Sequence, residues 1–374
     1  MEKKIKRIIK FIFPWGIINY LIQKKFCEKS ISNYWLNSFE HSDVIDMTKK
    51  VVSEKLVLSI EGFGYSGSSA LIDLFKEYDD FFVMGYSDVE DGGELSLKYK
   101  KNSYEVDFLR FSGGIFEIEK YIENSTNFFV NDELIHRFIS LIDVPLMLNA
   151  DSAFYNENFK KYVCSFLSSI IDFTIPGISQ QQYNTHLPRK GNNDIYYLKN
   201  MPKEKYRIIC RNFLSLVFNN IPSSKVLVMD QLSSDGEADF EKKASIIPNL
   251  KIIMVYRDPR DVYCTAKIKG VEWIPTKDIK LFIRWYKYMI SPTESKSSLV
   301  YLLQFERLVL ETENCLQEIE SFLNIKMPNH CYPHGFFDPK KSMKNIGIWK
   351  NIEDPNIDII GTALNAWCFN MDKG

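Results

Sequence analysis

The chain reads as an α/β protein, a three-layer sandwich with a central parallel sheet and a mostly helical insertion. Three observations predict this. The apolar runs LVLSI (56–60), KVLVMD (225–230) and KIIMVY (251–256) have the length and branched-chain content of strands buried on both faces. Segments of helical spacing alternate with such runs, the pattern of strand–helix–strand units. A glycine- and serine-rich turn follows the first run and a dense charged turn follows the third, where open α/β sheets hold ligands.

The 374 residues, 45% hydrophobic and 25% charged, are enough to bury a sizeable core. A formal net charge of -1 gives no general attraction to nucleic acid. The seven scattered cysteines contain no CxxC pair, and no cleavable signal is visible. Free thiols in a reducing cytoplasm are the expectation.

Residues 1–45 form a basic amphipathic N-terminal segment. Residues 2–29 hold eight Lys or Arg against Glu2 and Glu28, interleaved with Ile8, Phe11, Trp15 and Ile18. Lys10 and Pro14 break the apolar run, which is too short to span a bilayer. Two readings stay open: peripheral contact with an anionic membrane surface through residues 1–30, or a helix packed on its own domain.

Residues 46–374 are read as one domain. After the strand 56–60 comes GFGYSGSS (62–69), then a helix over 70–78. Gly62, Gly64 and Gly67 permit tight turns. Ser66, Ser68 and Ser69 offer hydroxyls, and a helix start adds free amides and a positive dipole end. Together these make an anion cradle, or else a turn whose serines only cap the helix. FFVMGY (81–86) is a further strand candidate. From about 105 to 220 strand signals are few, and helical spacing appears at 132–143, 157–171 and 205–220.

The strand 251–256 runs into RDPRDVYCT (257–265), with helical spacing from Val262 onward. Arg257 is suited to gripping a phosphate, and Thr265 lies on the first turns of that helix. A further helix is expected over 278–290, then a strand over SLVYLLQF (298–305) and a helix over 311–323. NHCYPH (329–334) has metal-like spacing but no second cluster to complete four ligands, so no metal is expected.

Residues 56–75 and 251–267 together resemble the sulfotransferases that use 3′-phosphoadenosine 5′-phosphosulfate, a family built on the P-loop nucleotide-kinase-like fold. YLLQFERLVLETENCLQEIESFLNI (301–325) is similar to that family's late strand and helix, and FDPKKSMKNIGIWKN (337–351) to its C-terminal Gly-x-Trp-Lys loop. The resemblance implies a transferase moving a sulfuryl group from this nucleotide to an acceptor hydroxyl on a small molecule or glycan, as in polysaccharide biosynthesis. It implies that Gly64, Tyr65, Ser66, Gly67, Ser68 and Ser69 cradle the 5′-phosphosulfate. Arg257 and Thr265 would hold the 3′-phosphate. Ser342, Lys344, Asn345, Gly347 and Lys350 would close over the nucleotide.

Two departures matter. The cation that many members carry in the first loop is replaced by Tyr65. The general base has several candidates: Glu94 first, in the GGEL stretch, then Asp230, Glu90 and His186. Two other classes remain open, a P-loop kinase and a binding module that has lost catalysis. The first needs a lysine that GYSGSSA lacks. The expected location is cytoplasmic, with peripheral contact at the inner membrane face.

Overall fold

Branched and aromatic residues build the strands, and their positions fix which face each helix covers. The structure, a computed structural model, describes residues 44–83, 114–124, 134–135, 137–139, 157–175, 195–220, 226–232, 240–291 and 297–370.

β1 (Leu56–Glu61) is buried along almost its whole length, then gives way to α1 (Ser68–Lys76) and the short β2 (Phe81–Val83). Next come α2 (Ile115–Asn124), α3 (Glu157–Ile170), β3 (Ile171–Ile175), β4 (Ile195–Leu198) and α4 (Lys203–Asn219). β5 (Val226–Asp230), α5 (Phe240–Ile246) and β6 (Leu250–Tyr256) follow. The late part is α6 (Pro259–Ile268), α7 (Ile279–Ile290), β7 (Val300–Gln304), α8 (Phe305–Leu310), α9 (Thr312–Leu323), α10 (Pro339–Ser342) and α11 (Asn356–Ala363).

Five strands form one parallel sheet in the order β2-β5-β1-β6-β7. β1 is central, with Ile60 level with Asp230 on one side and Ile253 on the other. The connection from β1 departs toward β2, while the chain after β6 departs toward β7. The crevice between the carboxyl ends of β1 and β6 is therefore a topological switch point, where such sheets bind ligands.

Alternate strand residues feed the two faces. Val57, Leu227, Met229 and Ile252 pack with Phe213 and Phe218 of α4 and Phe166 of α3. Leu58, Ile60, Val228, Ile253 and Val255 pack with Leu71 and Phe75 of α1, Leu308 of α8 and Ile319 of α9. Each fully buried Leu, Ile or Phe contributes about 1.5–3 kcal/mol, so both layers are needed. A third cluster joins Met254 to Tyr263 of α6, Phe282 and Tyr286 of α7 and Ile360 of α11.

Local differences from expectation have local causes. α1 begins at Ser68 because Gly67 takes a left-handed φ of 92° and turns the chain into it. α6 begins at Pro259 because Asp258 caps it, its side chain accepting from the Arg260 N–H, with proline at the first turn. The run 298–305 breaks before its end, and Phe305 opens α8. Within 105–220 the described residues carry helices and one antiparallel pair, β3 with β4. Tyr196 on β4 is fully buried in the same core cluster as Phe166 and Phe213. Among the described residues no helix is long and apolar enough to cross a membrane.

Candidate active site

A cavity of about 580 Å³ opens at the switch point. Gly64, Tyr65, Gly67, Ser68 and Ser69 line it from the turn after β1. Asp230 lines it from β5, Arg257 and Thr265 from β6 and α6, and Ser342 and Asn345 from the late loop.

The first wall is made of backbone. Ser66 is fully buried; its N–H donates to the Phe63 carbonyl (2.8 Å) and its Oγ accepts from the Phe63 N–H (3.2 Å). That double contact closes the turn, so Ser66 shapes the loop and does not line the cavity. Gly67 then reverses the chain, and no side chain caps α1. A Cβ on Gly67 would overlap the Phe305 ring. The first turn of α1 is thus an uncapped helix terminus facing the cavity, with its positive dipole end and the hydroxyls of Ser68 and Ser69.

The second wall is made of buried side chains. Arg257 is 4% exposed at the carboxyl end of β6. Its Nη1 donates to the Tyr65 carbonyl (3.3 Å) and its Nη2 to the Asn345 carbonyl, so one guanidinium ties both loops together. Among the described residues its Nε has no partner, and neither does the buried Thr265 Oγ1. Burial pulls the guanidinium below the usual arginine range, against the opposing pull of Asp261, Glu306 and Asp258.

The rest of RDPRD is scaffold. Asp258 receives Nε and Nη2 of Arg260 (3.0 and 2.6 Å) and the Phe369 N–H (2.9 Å). The Arg260 guanidinium lies 3.9 Å from the Trp349 ring centre. Asp261 accepts from the N–H groups of Gly347 (2.7 Å) and Trp349 (3.1 Å), anchoring the late loop on α6. Burial raises the Asp261 carboxyl above its ordinary value in spite of these bonds. Beneath them, the fully buried Glu306 accepts from the Asp258 N–H (3.0 Å) through Oε1, and burial lifts its carboxyl to about 7.

Several residues assigned from sequence fall elsewhere. Gly347 has φ 72° and gives its N–H to Asp261, so it shapes the loop. Lys344 and Lys350 do not line the cavity; the Lys350 Nζ lies 5.7 Å from the Trp349 ring centre. Lys344 shares the 3-10 turn over 343–345 with Asn345, but of the two only Asn345 lines the cavity, and Lys350 lies in the next such turn, over 348–351. Glu90, Glu94 and His186 lie outside the described residues, as do positions 1–43. Asp230 is half-buried where β5 ends, next to Gln231, whose φ of 49° is left-handed and whose N–H returns to the Ile60 carbonyl (2.9 Å).

Other lining residues were not read from the sequence. Lys269 and Lys341 bring cations, and Phe305 brings a ring 5.5 Å from the Arg257 guanidinium. Lys269 had one available signal: it lies one helical turn after Thr265. NHCYPH is a loop held by the buried Glu77. The Glu77 carboxylate pairs with His330 Nε2 (2.7 Å) and accepts from the N–H groups of Phe336 (2.9 Å) and Phe337 (2.8 Å). Among the described residues no three His, Cys, Asp or Glu side chains gather as metal ligands.

No protein-family model matches the chain, and no curated protein matches it. Among solved structures it is similar to the sulfotransferase domain from the Synechococcus PCC 7002 olefin synthase, at 10% identity and a TM-score of 0.40, over 88% of this chain and 100% of that one. It is similar to the sulfotransferase domain from the curacin biosynthetic pathway, at 14% identity and a TM-score of 0.40, over 83% and 97% of the two chains. A sulfotransferase from Mycobacterium avium gives 8% identity and a TM-score of 0.37, over 94% and 83%. At such scores the function has to be drawn from this chain's own residues.

Proposed function

We propose that the chain is a sulfotransferase that takes a sulfuryl group from 3′-phosphoadenosine 5′-phosphosulfate and places it on an acceptor hydroxyl. One observation carries this reading. One cavity has an uncapped helix terminus on one wall and, on the other, a buried arginine and a half-buried threonine whose Nε and Oγ1 have no partner among the described residues. Buried polar groups are rarely left unpaired, and an anion at Arg257 and Thr265 would satisfy both. Two anion sites of different build suit a nucleotide that carries phosphate at both its 3′ and 5′ ends. Ser342 and Asn345 would border it from the late loop.

In the reaction the acceptor oxygen forms a bond to sulfur in line with the bond that breaks, between sulfur and the bridging oxygen. The electron pair stays on the 5′-phosphate, and the hydroxyl proton passes to a base. Asp230, on the cavity wall at the end of β5, is the base proposed for that role. Glu94 and Glu90 are its rivals from the sequence. A glycan is the proposed acceptor class, and residues 1–30 the proposed contact with an anionic membrane face.

Calorimetry with adenosine 3′,5′-bisphosphate and with ATP tests the site. Preference for the bisphosphate is expected; preference for ATP would overturn the proposal in favour of a kinase. Labelled-sulfate transfer onto a glycan panel tests the reaction. Binding without transfer to any acceptor would reduce the chain to a nucleotide-binding module.

A further inference from the structure

The turn after β1 contains no cation, because Tyr65 stands where related donor sites would place one. The late-loop lysines, Lys344 and Lys350, do not line the cavity. Two other lysines do. The Lys341 Nζ lies 3.7 Å from Asp338, the N-cap of α10, so a carboxylate shares its charge. Lys269 is different. Its Nζ lies 5.1 Å from the centre of the Tyr65 ring.

That ring is itself held. Tyr65 stacks on Trp273 with centroids 6.3 Å apart and planes at 15°. Trp273 in turn sits on Gly64, where a Cβ would overlap its ring. Trp273, Tyr65 and Lys269 thus form a stack against the cradle turn. A ring face orients an ammonium without neutralising it, as a carboxylate would. Thr265 and Lys269 are four residues apart, and the Lys269 N–H donates to the Thr265 carbonyl (3.1 Å). One helix end therefore presents both a hydroxyl and a cation to the same cavity.

We propose that Lys269 is the missing cation of the donor site, supplied by α6 and steered by Tyr65. Its ammonium meets the 5′-phosphate oxygen that bridges to sulfur. When the sulfur–oxygen bond breaks, the electron pair remains on that oxygen and Lys269 stabilises it by a charge-assisted hydrogen bond, keeping its own proton. This rests on the sulfuryl-donor reading above.

The test uses the full chain as wild type, Lys269→Ala, Lys269→Arg and the double variant Tyr65→Lys/Lys269→Ala. Each is titrated with adenosine 3′,5′-bisphosphate and with adenosine 3′-monophosphate, so the ratio of affinities reads the 5′ end alone. Lys269→Ala should reduce that ratio roughly tenfold, the scale of one charge-assisted hydrogen bond, and leave monophosphate binding as it was. Lys269→Arg and the double variant should restore the ratio. An unchanged ratio in Lys269→Ala, or equal losses for both nucleotides, would overturn the assignment while leaving the donor reading standing. Failure of the wild type to bind either nucleotide would overturn both.

Discussion

Between Gly62 and Ser69 the turn after β1 has no charged side chain, whereas the turn after β6 packs Arg257, Asp258 and Asp261 into the protein almost without exposure. Both turns face one cavity, yet they use different physics. The first holds its shape through a left-handed glycine, a serine folded back on Phe63 and an uncapped helix end. The second holds its shape through a lattice of charge-assisted hydrogen bonds. A backbone wall depends little on which side chains it carries and fails when its conformation is denied. A side-chain wall fails when a charge is lost.

Four experiments would break or sharpen this contrast. The largest effect is expected on the charged wall. Arg257→Ala should weaken binding of adenosine 3′,5′-bisphosphate by about 3 kcal/mol, or roughly a hundredfold, with far less loss for the analogue lacking the 3′-phosphate. Equal losses in calorimetry would mean that Arg257 serves only to tie the loops. On the backbone wall, Gly67→Ala forces a β-carbon into left-handed backbone and onto Phe305, at about 2 kcal/mol of stability. Urea melts should show the same loss at low and high salt, since no charge is involved. A salt-dependent loss would contradict the backbone account.

Asp261→Ala should be milder, about 1–2 kcal/mol, because it leaves the Gly347 and Trp349 N–H groups without acceptors. Hydrogen exchange should accelerate at those two amides first. The smallest effect is one of slope. Burial raises the Glu306 carboxyl from 4.5 to about 7, so the folded chain holds a proton that the unfolded chain has released in that window. This contribution is complete below pH 4.5 and is lost as the pH rises toward 7. Glu306→Gln keeps an acceptor for the Asp258 N–H and should flatten the stability–pH curve by at most one proton of slope. An unchanged slope would show that Glu306 does not titrate there.

The sheet was legible because parallel strands must be apolar on both faces, and β1, β5 and β6 carry long branched runs. The cradle turn and Arg257 were legible because ligand turns follow such strands directly. What escaped reading depends on side-chain direction. Lys269 is one cation among 47 in the sequence, and only the fold brings it over Tyr65. Ser66 resembles its neighbours in composition, yet its hydroxyl turns inward to Phe63. Lys344 and Lys350 fit a motif, but neither lines the cavity, although Asn345, next to Lys344 in the same turn, does. The division of labour within RDPRD, with Arg257 toward the cavity and Asp261 toward the late loop, depends on where α6 begins.

The Nη2 contact from Arg257 to the Asn345 carbonyl has a bearing on how the chain is made. The guanidinium spans the cradle turn, nearly two hundred residues earlier, and a loop 88 residues later. A ribosome delivers these pieces in order, so the cradle emerges first, the arginine 192 residues after Tyr65, and the loop that completes them 88 residues after the arginine. Until residues 337–347 arrive, Asp261 has no amides to accept and Arg257 has one loop instead of two. The nascent protein can close its sheet before this wall exists, and the cavity is the last part of the molecule to be completed.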